Sequence, residues 1–459
     1  MAQFDLDVLS RLPLAESVLT VLKYLWDDEE LSRLFDQHRG TGSEVKVTFS
    51  LLVDLVVNAI VEYQGSGRES FRQARSDGRL DATDGAVYGK LRRIPVRLSE
   101  AFLLETTRRL RSLLPVDADP AAIPPAFRNY RVLVVDGKKL KNLPKRMKPL
   151  REVSGKVLGG KVVVGMMLNE GMAVAMHASP DGEANDAPLT PGLLEQVEGT
   201  TDQPVIVVAD RQFCGLKIPQ RIVSGESDFV IRYSNRMRFF PERERHLTDS
   251  EGRLIGESWG MLGREKEPAR MYLRQITLHR PGEQDVILVT SLLDADAFPA
   301  EQMLQLYLGR WNIERLFQQV TTVFHVQRLV GTSPQGAIFQ FSLCTCLYNV
   351  IQLVRSYVAA ANHQPAERLS SEMIFRDVSR QFVASTQFVS QSSLLAKIPS
   401  YSSAHQVRER LGELIAGAKW SPLWLKTPRG KRPKPKPKKR IPGGHCSAYK
   451  LIQQAKHPP

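Results

Sequence analysis

Two aspartates stand directly after strongly apolar runs of the sequence. Asp136 ends the run VLVVD and Asp210 ends the run VIVVAD, so each carboxylate is expected at the end of a buried strand. If the two runs lie side by side in one sheet, the carboxylates converge, and a cation is needed to offset their repulsion. A single aspartate in such a position more often caps a turn, so the pair carries the argument.

A third carboxylate, Glu314, lies in a segment with the spacing of an amphipathic helix, QLYLGRWNIERLFQQVTTVF. One stripe of this helix is apolar and is formed by Ile313, Leu316, Phe317, Val320 and Phe324. The opposite face carries Tyr307, Arg310, Glu314, Gln318 and Thr321. We therefore expect a rigid helix, packed on the sheet, to present Glu314 to the two aspartates.

Three carboxylates supply only oxygen ligands, which suit Mg²⁺ or Mn²⁺ better than zinc. Two such ions, about 3.5–4 Å apart, can activate an attacking oxygen and stabilise the leaving oxygen at phosphorus. The residues Asp136, Asp210 and Glu314 therefore predict a two-ion site for phosphodiester chemistry.

The third motif resembles a known family. The chain is similar to insertion-sequence transposases of the DDE class, in the subgroup with a Tyr-x2-Arg-x3-Glu-x6-Lys signature. Tyr307, Arg310 and Glu314 match that signature in order and spacing, and Trp311 completes a frequent Arg-Trp pair. The segments ADRQF and DFVIRYSNR also resemble the subgroup, and the resemblance covers roughly residues 45–350.

The resemblance implies a DNA transposase with Asp136, Asp210 and Glu314 as catalytic metal ligands. Its reaction would be metal-dependent cleavage at transposon ends, followed by attack of the freed 3′-hydroxyl on target DNA, without a covalent protein intermediate. The implied partners are terminal inverted repeats and target DNA. A homodimer is expected on DNA, with the C-terminal helices as its interface, because two ends must be paired.

One position departs from the signature, because Thr321 stands where the subgroup has lysine. In the family this lysine, the tyrosine and the arginine contact terminal phosphates, so one cationic contact is missing. Thr321 can still donate a hydrogen bond to phosphate, and Arg315 or Arg328 are candidates to replace the charge. Loss of one such contact weakens DNA binding without abolishing metal chemistry.

Two further groups of charged residues are candidates for functional roles. Lys138, Lys139 and Lys141 follow Asp136 closely and are candidates to contact the DNA backbone, although such clusters are as often simply solvated. Glu183 and Asp186 in SPDGEANDAP offer an alternative carboxylate pair, but the surrounding Gly, Asn and Pro favour a surface turn.

Some members of the family form a hairpin on the excised end, and an aromatic side chain then holds a flipped base. Trp259 in GESWG is the candidate for this role. A buried or hairpin tryptophan without any DNA role is the better-supported interpretation of the same residue.

Composition favours an anionic partner. The formal net charge is +14 at pH 7, which for a soluble protein most often indicates nucleic acid. Residues 426–440 carry nine Lys or Arg and no acid, so this stretch contributes +9 of the total. A basic tail alone is a weak signal.

The four cysteines show no paired CxxC spacing, which favours a reducing compartment without disulfides or structural zinc. The N-terminal residues lack the basic and apolar regions of a secretory signal. No run of about 18 uninterrupted apolar residues predicts a membrane span. We therefore expect a bacterial cytoplasmic protein, associated with the nucleoid when bound to DNA.

The remaining patterns divide the chain. Residues 1–115 predict a helical DNA-binding domain, in which Arg92 and Arg93 end a stretch compatible with a helix–turn–helix, although an ordinary helix pair fits as well. Five apolar, β-branched runs follow, at Val132–Val135, Lys161–Leu168, Val174–His177, Val205–Ala209 and Phe229–Tyr233.

These runs predict an α/β fold with a ribonuclease H-like core, divided between residues 128–235 and 291–335. The first three strands are expected to be antiparallel, and the helix before the fourth predicts parallel pairing there. Residues 236–290 predict a β-rich insertion, and residues 336–424 a C-terminal helical region. The Lys- and Pro-rich residues 425–459 predict a flexible basic tail.

Two other functions fit parts of this pattern. A catalytically weak or inactive DNA-binding regulator is consistent with Thr321, although the three carboxylates argue against it. A nuclease of the same fold is less consistent with the helical N-terminal domain and the β-rich insertion, because hydrolysis alone needs neither.

Overall fold

The computed structural model describes residues 11–40, 45–115, 123–198, 200–322, 328–386, 397–427 and 444–456. Phe324 and the Lys- and Pro-rich residues 428–443 lie outside this part of the chain.

Six helices precede the first strand: Pro13–Leu25 (α1), Asp28–His38 (α2), Phe49–Val61 (α3), Gly67–Ser76 (α4), Asp84–Arg93 (α5) and Val96–Arg111 (α6). Helices α2 to α5 begin at Asp, Ser or Thr residues whose side chains accept a hydrogen bond from the backbone N–H three residues later. Such caps satisfy N–H groups that have no partner within the helix. The predicted helical start of the chain is therefore locally encoded.

Five strands form the centre of the sheet: Arg131–Lys141 (β1), Lys156–Met167 (β2), Met172–Ser179 (β3), Val205–Ala209 (β4) and Asp228–Arg232 (β5). β2 pairs antiparallel with both β1 and β3, whereas β4 is parallel to β1 and β5 is parallel to β4. Helices Asp186–Val197 (α7) and Lys217–Ser224 (α8) make the two crossovers. The order β3-β2-β1-β4-β5 confirms the predicted α/β, ribonuclease H-like core.

β1 is buried on both faces, as the central strand of such a sheet must be. Val132 and Val134 face the apolar cluster that contains the later helices, whereas Leu133 and Val135 face the cluster that contains α7. Because side chains alternate along a strand, Asp136 continues the face of Val132 and Val134. This parity decides which helix the carboxylate meets.

Four more strands extend the sheet beyond β5: Phe239–Thr248 (β6), Leu254–Leu262 (β7), Met271–Leu278 (β8) and Val286–Thr290 (β9). They form an antiparallel series that joins the core through β9, which pairs antiparallel with β5. The segment predicted as a β-rich insertion is thus a continuation of the central sheet. Its buried centre is the fully enclosed Arg274, which pairs with Glu257.

The remaining helices are Ala300–Leu308 (α9), Trp311–Thr322 (α10), Pro334–Ala361 (α11), Ser371–Thr386 (α12) and Ala404–Ala416 (α13). Helix α11 is long and apolar enough to cross a membrane, but its apolar window is entirely buried inside the molecule. Phe339 on α11 packs against Phe49 and Phe102 of the N-terminal helices. The two helical regions therefore share one core.

The prediction of a flexible tail over residues 425–459 is wrong for residues 444–456. His445–Ser447 form a short strand (β10), parallel to β2, and Ala448–Lys456 form a helix (α14). Ser447 accepts a hydrogen bond from the Gly182 backbone N–H, and Lys450 pairs with Glu183 at 2.5 Å. The strand and helix dock on the free edge of β2 and on carboxylates of a turn that is distant in sequence. The local sequence of the tail therefore does not predict this contact.

Candidate active site

The register of the sheet brings the two aspartates together. Val135 on β1 is paired with Ala209 on β4, and the next residue on each strand is Asp136 or Asp210. β4 ends there, and Asp210 caps the following turn by accepting a hydrogen bond from the Arg211 backbone N–H at 2.7 Å. Two carboxylates thus leave neighbouring parallel strands at the same level, as the apolar runs predicted.

Asp136 is held in a confined environment, with 16% of its side chain exposed. Its Oδ1 accepts hydrogen bonds from the Gly137 backbone N–H at 2.8 Å and from Gln212 Nε2 at 3.4 Å. Burial raises the pKa of Asp136 to about 6, and the carboxylates of Asp186 and Glu314 act in the same direction. The site therefore favours a cation next to this group.

Glu314 reaches the same region from α10. Arg310 Nη1 lies 2.8 Å from Glu314 Oε1 and 3.9 Å from Asp136 Oδ2, so one guanidinium contacts both carboxylates. Arg310 is only 6% exposed. A buried arginine thus neutralises the carboxylates in this structure.

The expected continuous helix is broken, which corrects one prediction. α9 ends at Leu308 and α10 begins at Trp311. At the junction the backbone N–H groups of Asn312 and Ile313 donate to the carbonyls three residues earlier, those of Gly309 and Arg310. A side chain at Gly309 would collide with Leu168 of the β2 end, so a glycine is required at this approach. This requirement for glycine comes from a contact with a residue distant in sequence, about which helical periodicity carries no information.

The Tyr307, Arg310 and Trp311 side chains lie beside the carboxylates and differ in solvent exposure. Tyr307 is 6% exposed and Trp311 is 51% exposed, and the Arg310 guanidinium lies over both rings at 5.8 and 5.0 Å. The Tyr307 hydroxyl and Arg310 Nε are buried without a hydrogen-bond partner among the described residues. Both donors are available to an oxygen-rich ligand.

The donor set fits hard divalent ions in kind. Asp136, Asp210 and Glu314 offer only oxygen, and burial already makes a negative charge at Asp136 costly. Within the described part of the chain, however, no three acidic, His or Cys side chains are drawn together closely enough to hold an ion. Arg310 lies among the carboxylates instead, so an ion must displace its guanidinium.

Asp186 is a member of the site that the sequence analysis placed elsewhere. It is 7% exposed, pairs with the buried Lys161, and lies so close to Gly137 that a β-carbon there would overlap its carboxylate. The favoured interpretation of this segment as a surface turn holds for Glu183, which is exposed and pairs with Lys450, but not for the buried Asp186. The alternative pairing of Glu183 with Asp186 does not occur. The sequence signal that could have identified Asp186 is its position at the start of the helix that follows the third strand.

The predicted DNA-contacting cations fall into different environments. Lys138 lies over the Phe317 ring at 5.4 Å. Its pKa is lowered mainly by burial and secondly by the positive charge of Lys141. Lys139 is partly exposed and Lys141 is exposed. These lysines follow Asp136 along β1, on the approach to the carboxylates.

Thr321 lies one turn after Phe317, and its hydroxyl donates to the Phe317 carbonyl at 2.6 Å. Neither candidate replacement for the missing lysine charge lies beside it. Arg315 is exposed on another face of α10, and Arg328 donates to the Gln64 carbonyl at 3.3 Å next to the N-terminal helices. Neither arginine therefore substitutes directly for the lysine of the subgroup.

Trp259 does not have the open ring that stacking with a flipped base requires. The residue is 4% exposed, its indole N–H donates to the Leu293 carbonyl at 2.9 Å, and Arg243 covers the ring at 4.2 Å. A base could stack only after Arg243 moved away. Arg92 and Arg93, by contrast, are both exposed at the end of α5.

Comparisons with known proteins bear on the central domain. The family described as Transposase DDE domain matches residues 128–350, which include all three carboxylates. A search of curated proteins found no match. One similar solved structure is described as a cryo-EM structure of piggyBac transposase synaptic complex with hairpin DNA. It shares 12% identity over 86% of this chain and 85% of that chain, with a TM-score of 0.42.

Proposed function

We propose that this chain, with a transposase DDE domain over residues 128–350, is a DNA transposase that cleaves transposon ends at Asp136, Asp210 and Glu314. The family match supports DNA transposase function and a requirement for divalent metal ions. The finer proposal is that these three carboxylates hold two Mg²⁺ or Mn²⁺ ions. It is supported by the register that puts Asp136 next to Asp210 and by the contacts of Arg310 with Asp136 and Glu314.

The observation that carries this proposal is the arrangement of the three acids. Asp136 and Asp210 follow paired residues of neighbouring parallel strands, and Glu314 joins Asp136 through a shared nitrogen of Arg310. When bound, two divalent ions would polarise an attacking oxygen and neutralise the leaving oxygen of a phosphodiester. Asp136, Asp210 and Glu314 would supply the carboxylate oxygens that hold these ions.

Arg310 and Tyr307 are proposed to orient the DNA. When cations replace the guanidinium between the carboxylates, Arg310 is freed to donate to a phosphate oxygen, and the unpartnered Tyr307 hydroxyl can donate beside it. Trp311 is exposed next to them and can pack on a sugar or base. The resemblance to the subgroup implies phosphate contacts for two of these positions, Tyr307 and Arg310, and the role of Trp311 is proposed from its exposure.

The partners proposed are transposon terminal repeats and target DNA, with a homodimer formed on two ends. The C-terminal helices were the expected interface. The apolar window of the longest of them, α11, is buried within the protomer. An interface in this region would therefore use the C-terminal end of α11, where Ala360 and Ala361 are exposed, or the more exposed helices around it.

The test is cleavage of a labelled duplex that carries the inverted repeat flanking the gene, with Mg²⁺ or Mn²⁺. Asp136→Asn, Asp210→Asn and Glu314→Gln should each bind the duplex but lose roughly a hundredfold to a thousandfold in cleavage rate, by analogy with loss of a main electrostatic group. Asp202→Asn is the matched control, because Asp202 is exposed before the opposite end of β4. Equal cleavage by a carboxylate variant and the control would refute the assignment.

A DNA-binding regulator is the second candidate. It is favoured by Thr321 in place of lysine and by the absence of a preassembled three-ligand group in the described residues. Wild-type protein that binds the repeat and does not cut with either metal would support it. A simple nuclease would cut but would not join the freed 3′ end to a second, unlabelled duplex.

A further inference from the structure

A second basic site lies on the other side of α10 from the carboxylates. A cavity of about 1070 Å³ opens between the α9–α10 junction, α11 and the start of β1. We call it the flank groove. Its cationic lining residues are Arg128, Arg131, Arg315, Arg355 and Lys426.

The flank groove has more positive than negative groups. Against the five cations stand two carboxylates, Glu170 and Glu367. Glu170 is already engaged, because both Arg111 and Arg131 pair with it. The net positive charge of the lining is therefore not cancelled from within the groove.

Only Arg131 of the five cations has a carboxylate within ion-pair distance in the part of the chain that the structure describes. The other four are Arg128, Arg315, Arg355 and Lys426. Arg355 Nη1 donates only to the Ser371 hydroxyl at 3.2 Å, and its Nε is buried without a partner among the described residues. The pKa of Lys426 is lowered to about 8, mainly by burial and secondly by the positive charges of Arg355 and Arg315. Cations crowded in this way favour an anionic ligand.

Backbone contacts and packing hold the cationic residues of the groove in position. Lys426 is fixed by its backbone N–H, which donates to the Arg368 carbonyl at 2.8 Å, and the preceding Leu425 forms a bridge with Leu369. Arg355 projects from α11, whose neighbouring residues are buried. Charged groups from α10, α11 and the segment at Lys426 thus converge although they are far apart in sequence.

The groove is also close to the catalytic carboxylates. Glu314 faces them, whereas Arg315, about 100° further around α10, and Asn312, on the far side from Glu314, line the groove. One helix, about 10 Å wide, therefore separates the two places. That separation is within the reach of a few nucleotides of one DNA strand.

We propose that the flank groove binds the phosphate backbone of DNA next to the cleavage site, through Arg315, Arg355 and Lys426. The inference rests on the proposed transposase function, and it adds a contact that the three-carboxylate motif does not contain. The apolar part of the lining, including Leu168 and Leu306, can cover sugars between phosphates. A cavity of this size exceeds the needs of a single inorganic phosphate.

The experiment compares DNA binding by the full chain across a range of salt concentrations. The double variant Arg315→Gln/Lys426→Gln removes two exposed groove cations, and Arg376→Gln/Lys419→Gln removes two exposed cations of the C-terminal helical region. The groove variant should lower the slope of log affinity against log salt by about 1–2, because each lost phosphate contact removes about 0.9. The control pair should leave the slope nearly unchanged.

The outcomes separate this inference from the proposed function. If the wild type cuts the repeat and both double variants share its slope, the groove proposal is overturned and the transposase proposal stands. If the wild type neither binds nor cuts, both proposals fail. If the groove variant loses self-association without DNA and keeps its slope, the groove is a protein interface and the proposal is also overturned.

Discussion

Arg310 Nη1 lies 2.8 Å from Glu314 Oε1, and the same nitrogen lies 3.9 Å from Asp136 Oδ2. The arginine of the signature therefore occupies, as a cation, the region where the carboxylates would hold metal. This contact makes metal binding and arginine placement competing events in the DNA-free protein.

The first prediction follows from that competition. Arg310→Ala should bind Mn²⁺ more tightly than wild type in the absence of DNA, by roughly tenfold, if one charge-assisted hydrogen bond of about 1.5 kcal/mol no longer competes. DNA cleavage by the same variant should fall. Calorimetric Mn²⁺ titration measures the first effect, and Arg315→Ala is the control because it removes the same charge from another face of α10. Weaker Mn²⁺ binding by Arg310→Ala would show that the guanidinium does not compete.

The second prediction concerns the position at which the subgroup has lysine. Thr321 is seven residues after Glu314 and therefore lies on nearly the same face of α10. Thr321→Lys should add a phosphate contact, steepen the salt dependence of DNA binding by about 1, and preserve or increase cleavage. Thr322→Lys adds the same charge about 100° away and should do less. Equal effects of the two substitutions would indicate general charge attraction only.

The third prediction concerns the close approach of α7 to β1. A β-carbon at Gly137 would overlap the Asp186 carboxylate, which is held by Lys161. Gly137→Ala should lower the free energy of unfolding by about 1–3 kcal/mol, as overpacking does, and should also slow cleavage because Asp136 is adjacent. Urea unfolding gives the measurement. Gly215→Ala is the control, since nothing lies within 4 Å of a β-carbon there, and similar losses in both variants would contradict the packing argument.

The fourth prediction is a pH dependence of stability. Glu100 Oε1 lies 3.2 Å from His177 Nδ1, and this contact raises the pKa of His177 above its ordinary 6.5. The contribution to stability is therefore fully present below pH 6.5 and is lost as the pH rises through the folded-state pKa. Glu100→Gln should flatten the pH dependence of unfolding in that window, while keeping an acceptor for the Ala178 N–H.

Chemical denaturation at several pH values, together with NMR titration of the histidine ring, checks this prediction. Glu105→Gln, on the same helix, removes a carboxylate that pairs with Arg108 and should leave the profile unchanged. A His177 pKa that does not fall in Glu100→Gln would remove the basis of the argument.

The fifth prediction concerns the C-terminal strand. A chain ending after residue 443 lacks β10 and α14, so it exposes the edge of β2 and leaves the Gly182 N–H and Glu183 without their partners. Its Tm should fall by a few degrees, in proportion to the loss of a peripheral element. A chain ending after Lys456 should melt like wild type. Identical melting of the two truncated chains would mean that β10 and α14 do not stabilise the core.

Some of the site was accessible from the sequence because its determinants are local. Apolar runs that end in Asp136 and Asp210 predict buried strands, since strand burial depends mainly on consecutive side chains. The crossover helix between β3 and β4 then implied parallel pairing, and the register of Val135 with Ala209 agrees with it. Glu314 was identified by spacing along one helix and by resemblance.

Other features required contacts between distant residues. The close approach at Gly309 involves Leu168, and the buried position of Asp186 involves Lys161 and the missing side chain of Gly137. Trp259 is closed because Arg243 lies over it, although its neighbours in sequence are ordinary strand residues. Hydrophobic periodicity records which side of an element is apolar and carries no information about which partner covers it.

Residue type and local periodicity were sufficient to predict the strands of the core and to select Asp136, Asp210 and Glu314 as candidate ligands for oxygen-bound cations, because both depend on consecutive residues. Only the tertiary structure decided that Arg310 lies between Asp136 and Glu314, that residues 444–456 complete the edge of β2, and that Arg315, Arg355 and Lys426 share one groove. The physical reason is that charge pairing and edge pairing depend on distance in space, which folding sets for residues hundreds of positions apart.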